Sequence, residues 1–196
     1  ALVGEVVNAT NAPVCYARVT ARLYNADGVL VATDDRGADL TATLPGQRNP
    51  FTVWIYDAPP ASRYELSVSA DSCYSRYASL TVVSAADRNV NGGVEVFGEV
   101  ENTGGDAVTS AEVAITYYGA DGRVVQTDWD LVSPDDLVLG QRGTYRAVTY
   151  VRNLRQLFTR YTITAQARVA SGPFVIHKES VRPTRPPVTT EWQRRP

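Results

Sequence analysis

The chain has no methionine, one histidine and two cysteines in 196 residues. A single histidine rules out the multi-histidine sites that hold catalytic zinc or non-haem iron. No apolar run approaches the roughly 18 residues that a membrane-spanning helix requires. Neither sign of charge dominates, since 19 basic and 21 acidic residues leave a formal net charge of −2. That balance argues against the basic face or stripe of a nucleic-acid binder and against a polybasic attraction to anionic lipid. Leu/Glu/Lys-rich stretches at helical spacing are also missing. With no methionine even at position 1, and a strand-like segment at Leu2 to Asn8, the expectation is a processed or trimmed product. A signal peptide or lipid anchor removed upstream is one origin of such a product, and a fragment cut at that point is the other.

What the chain does contain is enough apolar material for a core, at 44% hydrophobic and 20% charged residues, with abundant Val, Thr and Tyr. Those residue types favour pleated surfaces. The organising feature is an internal repeat. Gly4 to Asp34 lies over Gly98 to Asp128 at a constant offset of 94, without a gap, and 14 of the 31 aligned residues are identical. The same offset carries Gly46-Gln47-Arg48 onto Gly140-Gln141-Arg142, and a shift of three more aligns Arg63-Tyr64 with Arg160-Tyr161. A period of this length is a duplicated domain, not a solenoid.

Each copy divides into short strands. In the first they are Leu2–Asn8, Val14–Tyr24, Val29–Thr33, Phe51–Tyr56, Tyr64–Ala70 and Tyr77–Val83. In the second they are Val94–Asn102, Val108–Tyr118, Arg123–Trp129, Tyr145–Val151, Tyr161–Val169 and Phe174–Val181. Val19, Ala21 and Leu23 share one face of the second strand while Arg18, Thr20 and Arg22 share the other, the alternation of a sheet with one wet side. Asp27-Gly28 supplies the positive φ angles of a tight hairpin. The expected fold is all-β: two tandem immunoglobulin-like β-sandwiches of about six or seven antiparallel strands each. The boundaries that follow are 1–84 and 94–182 for the sandwiches, 85–93 for a linker rich in Asn, Asp, Gly and Ala, and 183–196 for a proline-rich tail. Four prolines in that tail disfavour sheet pairing and favour an extended tether, or a segment that packs on a neighbouring molecule.

Three segments carry a family likeness. They are G-E-V-x-N at Gly4 to Asn8 and Gly98 to Asn102, Leu23-Tyr24-Asn25-Ala26-Asp27-Gly28 with its counterpart Tyr117 to Gly122, and the Leu44-Pro45-Gly46-Gln47 turn. Through them the chain resembles tandem FxLYD domains, immunoglobulin-like bacterial and archaeal modules close to the CARDB type. Ala21 and Ile115 stand at the Phe position of the name-giving motif. The resemblance implies an extracytoplasmic, prokaryotic accessory module, and it brings no catalytic residue to transfer.

Cys15 starts the second strand and Cys73 follows the fifth, so strands that alternate up and down place both at one end of the first sandwich. A disulfide is expected between them, in keeping with an oxidising compartment; two buried thiols are the alternative. The second copy has Thr109 at the place of Cys15, which makes the bond a local reinforcement.

Catalytic machinery is not legible. His177 is an isolated histidine between Ile176 and Lys178, with no G-x-S-x-G elbow elsewhere to make it part of a triad. Asp34, Asp35 and Asp39, and Asp128, Asp130, Asp135 and Asp136, fall in loops and read as solvated turn residues. Neither set follows a calcium-loop pattern. Asn8-Ala9-Thr10 fits a glycosylation acceptor, which matters only in a eukaryotic secretory host. Aromatics are the better lead. Phe51, Val53 and Ile55 share one face of the fourth strand, leaving Trp54 and Tyr56 on the other. Trp54 either fills the gap between the sheets, the preferred reading, or joins Tyr56, Tyr16 and Tyr24 in a surface able to stack on sugar rings or anchor a protein. The function expected is therefore a non-enzymatic spacer or protein-interaction module at a cell envelope, without cofactor or metal. Its partner is expected to be another envelope or secreted protein. A carbohydrate-binding module is the alternative.

Overall fold

The computed structural model describes residues 1–170 and 191–193. Within them the alternating segments form fourteen strands and one helical turn. The first repeat runs β1 (Leu2–Val7), β2 (Val14–Tyr24), β3 (Leu30–Gly37), β4 (Ala42–Thr43), β5 (Arg48–Val53) and β6 (Arg63–Ser72). Next come β7 (Tyr77–Ser79), β8 (Thr81–Val90), β9 (Gly93–Glu101), β10 (Val108–Tyr118), β11 (Val124–Leu131) and β12 (Arg142–Thr149). The helical turn α1 (Leu154–Leu157), β13 (Arg160–Val169) and β14 (Glu191–Gln193) complete the series. The fold is all-β, in several antiparallel sheets. β1 pairs β5; β2 lies between β3 and the pair β4 and β6; β9 lies between β12 and β8; β10 lies between β11 and β13, whose far edge carries β7 and β14.

The repeat in sequence is a repeat in register. Val3 faces Thr52 across β1 and β5, and Phe97 faces Arg146 across β9 and β12. Arg22 faces Thr33 as Thr116 faces Thr127. Even the irregularities recur: Tyr16 at φ 55° and Ser110 at φ 54° occupy the same bulge in β2 and β10. Small hydrogen-bonding devices are duplicated too. Asn8 donates to the Ala12 and Thr43 carbonyls at 2.8 and 2.7 Å, and Asn102 donates to the Asp106 and Leu137 carbonyls, both at 2.9 Å. The glycosylation-type Asn8 is thus a buried structural amide.

The segment 85–93 is not a linker. It is the end of β8, a two-residue Asn91-Gly92 turn and the start of β9, with Val90 facing Gly93. Gly92 takes φ 82°, which an Asn-Gly hairpin requires. The strand expected to close the first copy at Tyr77–Val83 belongs to the second: β7 pairs β13, and β8 pairs β9. Trp54 to Tyr56 lie beyond the end of β5, and the strand expected to begin at Val29 extends to Gly37. In the tail, Glu191–Gln193 pairs with Arg160–Thr162, because these residues lie between Pro187 and Pro196 and keep their N–H donors. The strand expected at Phe174–Val181 lies outside the described residues.

The two cores differ accordingly. The second repeat buries Leu80 and Val82 from the β7–β8 segment together with Val96, Val113, Ile115, Tyr145, Tyr161 and Ile163. The core of the first is only Val6, Ala17, Val19, Ala21, Phe51 and Val53. Cys15 and Cys73 are joined in a disulfide, which staples the end of β6 to the start of β2. The repeats meet through polar contacts. The Thr41 N–H and hydroxyl donate to Glu112 at 2.8 and 3.1 Å, Thr52 and Thr127 share a hydroxyl contact at 2.9 Å, and the Tyr118 hydroxyl donates to Glu5 at 2.7 Å.

A disulfide closing a separation of 58 residues removes loop-closure entropy from the unfolded chain worth about 4 kcal/mol. The Cys15→Ser/Cys73→Ser variant should lose stability of that order in urea unfolding. An unchanged midpoint would contradict the bond's role in holding the smaller core.

Candidate functional site

Two surface features stand out, an aromatic cleft where the repeats meet and a groove beside β1. The cleft begins where β5 ends. Val53 turns into the core with no exposure, and the chain then leaves the sheet, carrying Trp54 and Tyr56 outward at 45% and 79% exposure. Their rings stack at 6.4 Å between centroids and 17° between planes. Trp54 therefore does not fill the gap between sheets; Phe51 occupies that interior. Trp54, Trp129 and Tyr150 line a cleft of ≈ 270 Å³ together with Arg36, Asp39 and Asp128. Of the four aromatics expected on one surface, only Trp54 and Tyr56 come together. Tyr16 borders a separate hollow with Arg18 and Asp71. Tyr24 is held at the other end of β2, donating to Glu65 at 2.9 Å under the Arg63 guanidinium.

Trp129 and Tyr150 escaped the sequence reading, although Tyr150 is the repeat counterpart of Tyr56 at the offset of 94. The acidic residues expected in loops are instead largely on strands, with Asp34 and Asp35 on β3 and Asp128 and Asp130 on β11. Burial pushes the Asp39 carboxyl up to about 6; a hydrogen bond from Thr127 and the Arg36 charge oppose that shift, and Asp128 reinforces it. Burial also raises Asp128, against hydrogen bonds from Thr149 and the Trp129 N–H. One buried Asp39 oxygen has no hydrogen-bond partner among the described residues. The cleft thus offers ring faces beside acceptor groups with unused capacity, which suits a neutral, hydroxyl-bearing ligand.

The groove beside β1 has ≈ 380 Å³ and a largely apolar lining that includes Val3, Val6, Phe51, Leu66 and Val68. Comparison with the second repeat explains it. Ala21 faces Leu66 and Val19 faces Val68, as Ile115 faces Ile163 and Val113 faces Ala165. Ile163 and Ala165 are buried at 1% and 4%, but Leu66 and Val68 are exposed at 43% and 56%. What covers the second pair is the segment carrying Leu80 and Val82. The first repeat has no such strand among the described residues, so the outer edge of β1 is unpaired there. Gly98 shows how close that strand comes, since a Cβ there would lie 2.0 Å from the Ser84 carbonyl oxygen. At Gly4, its counterpart, a Cβ would meet only the Phe51 ring.

A third hollow, of ≈ 660 Å³, includes Glu5, Arg48, Tyr118 and Arg160 in its lining. These groups satisfy one another, Glu5 by Arg48 and Tyr118, and Arg160 by lying over the Tyr118 ring. No group of three or more metal-ligating side chains forms among the described residues. His177 lies outside those residues. No helix in them is long and apolar enough to cross a membrane. Compared with known protein families, curated proteins and solved structures, the chain matches none.

The Asp39 shift has a defined sign. A carboxyl whose folded-state value is raised to about 6 binds more protons folded than unfolded, so its contribution to stability falls as pH rises from about 4 to 6. Asp39→Asn, which mimics the neutral form, should stabilise the protein at pH 7 and lose that advantage below pH 5. Thermal melts across this range check it; a pH-independent effect, or a loss at pH 7, contradicts the assignment.

Proposed function

We propose that the protein is a non-enzymatic interaction module of an extracytoplasmic envelope or secreted assembly. It is built as two immunoglobulin-like sandwiches in series and takes a protein partner by strand addition at the open edge of β1. The observation that carries this reading is the exposure of Leu66 and Val68 where Ile163 and Ala165 are buried. An edge strand beside an uncovered apolar sheet face offers main-chain hydrogen bonds for affinity and side-chain pockets for register. The Cys15–Cys73 disulfide supports an oxidising compartment. The likeness of the G-E-V-x-N segments to FxLYD domains supports an accessory role.

A peptide with the sequence of residues 80–87, titrated into the isotope-labelled chain, tests the reading. It should shift the amide resonances of β1 and β6. Val68→Lys, which alters a residue already exposed and leaves the fold intact, should abolish those shifts. No response, or a response indifferent to the substitution, contradicts strand addition.

The aromatic cleft favours a second reading, a carbohydrate-binding module. Trp54 and Tyr56 stack beside Trp129, Tyr150 and two partly buried carboxyls, the combination that sandwiches a sugar ring and bonds its hydroxyls. Neutral oligosaccharides should then quench the tryptophan fluorescence of the native chain and fail to quench that of Trp129→Ala. An array of glycans that leaves the fluorescence unchanged removes this reading.

A further inference from the structure

We propose that the aromatic cleft continues into a second sugar subsite on Tyr56, so that its ligand is a flat, equatorially linked glycan chain of at least two pyranose rings. The inference rests on the carbohydrate-binding reading of the cleft, and goes beyond it by naming the linkage and the number of rings.

The cleft by itself is a place for one ring. Trp54, Trp129 and Tyr150 line ≈ 270 Å³, and Tyr56 is not part of that lining. Yet the Tyr56 ring lies beside Trp54, 6.4 Å away between centroids and 17° from parallel. That separation is near the wide end of the range for offset aromatic pairs, about 4.5–7 Å, where neighbouring rings sit mostly side by side. Trp54 and Tyr56 therefore make one stepped platform, its inner ring in the cleft and its outer ring beyond the mouth. At 79% exposure, Tyr56 leaves ring surface open to a ligand.

The local sequence builds this platform. Trp54 and Tyr56 point the same way because Ile55 between them packs on the core of the first repeat. Directly after Tyr56 the chain turns at Asp57, which takes φ 50°. Pro59 and Pro60 then fix their own φ angles. A ring presented from so constrained a segment loses little freedom when a ligand settles on it. At the repeat offset of 94, Val148 stands in place of Trp54, so the second repeat has no equivalent platform.

Geometry selects the ligand. A pyranose whose hydroxyls are equatorial presents a face of C–H groups, which packs on an aromatic ring as another apolar surface does. Equatorial linkages between such units keep the chain extended, with successive ring faces nearly parallel, as the planes of Trp54 and Tyr56 are. An axial linkage bends the chain and tilts its second ring off Tyr56. Charge narrows the class further. The cleft wall carries two carboxyls, Asp39 and Asp128, against one guanidinium, Arg36. An acidic sugar is disfavoured there, while neutral hydroxyls find acceptors. The ligand class is thus a β-1,4-linked chain of the glucose or N-acetylglucosamine type.

Amide resonances of the isotope-labelled full chain, followed through titrations with sugars of increasing length, test the proposal. Glucose with the cello-oligosaccharides forms one arm, and N-acetylglucosamine with the chito-oligosaccharides a second. The axially linked malto-oligosaccharides form a third. In the first or the second arm the disaccharide should bind roughly two- to tenfold tighter than its monosaccharide, the worth of one stacked ring pair. It should also move the resonances around Tyr56. The third arm should show no such gain. Tyr56→Ala, at an exposed position, should cancel the gain, so that the disaccharide binds no tighter than the monosaccharide; Tyr56→Phe should keep it. A gain that survives Tyr56→Ala, that is lost in Tyr56→Phe, or that is equal in the malto series overturns the proposal. Native-chain disaccharides that bind no tighter than their monosaccharides also overturn it, and leave the single-ring cleft standing. Sugars that move no resonance in any arm remove the carbohydrate reading along with it.

Discussion

Everything in this structure turns on where the strand Thr81–Val90 pairs. A sheet face made of Val, Leu and Ile must be covered, and an edge of N–H and C=O groups must be bonded or left to water. β8 meets both demands for the second repeat. It bonds along β9 from Thr81 to Val90, and with Leu80 it seals the interior over Ile163 and Ala165. The same strand cannot do this twice. The first repeat, with the same registers and bulges, is left with a two-stranded sheet of β1 and β5 and a core of six buried side chains.

The rest of the first repeat can be understood as support for an incomplete sandwich. A two-stranded sheet is marginal alone. The Cys15–Cys73 bond ties the end of β6 to β2, and the first repeat leans on the second through Glu5 of β1, Thr52 of β5 and Thr41 just before β4. Those contacts are polar, and they leave at the junction the cleft in which Trp54, Trp129 and Tyr150 gather. The candidate aromatic surface and a structural seam therefore coincide.

Much of this was legible in the residues. The repeat, the alternation of Val19 and Ala21 against Arg18, and the pairing of Cys15 with Cys73 all follow from local pattern. The connectivity between copies did not. Asn91-Gly92 is a strong hairpin signal, but it sits among Asn, Asp, Gly and Ala residues that also compose linkers, and composition outweighed the dipeptide. Trp54 differs for another reason. Alternation alone sets it opposite Phe51 and Val53, and the buried tryptophan of immunoglobulin-like domains points it inward, whereas β5 stops at Val53 and the chain carries the ring out of the sheet. Asp39 and Asp128 read as solvated turn residues because charge alone does not reveal that a neighbouring repeat covers them. Tyr150 was within reach through its counterpart Tyr56, while the approach of Trp129 to Trp54 depends on how the repeats pack.

Native-state hydrogen exchange on the full chain at low concentration tests the central claim most directly, because protection reports which backbone groups are covered and bonded. The account predicts strong protection for β9 and for β13 around Ile163 and Ala165, with much faster exchange on the outer edge of β1 and in β6 around Leu66 and Val68. Equal protection in the two repeats would contradict it, for it would mean that the first sandwich is already closed.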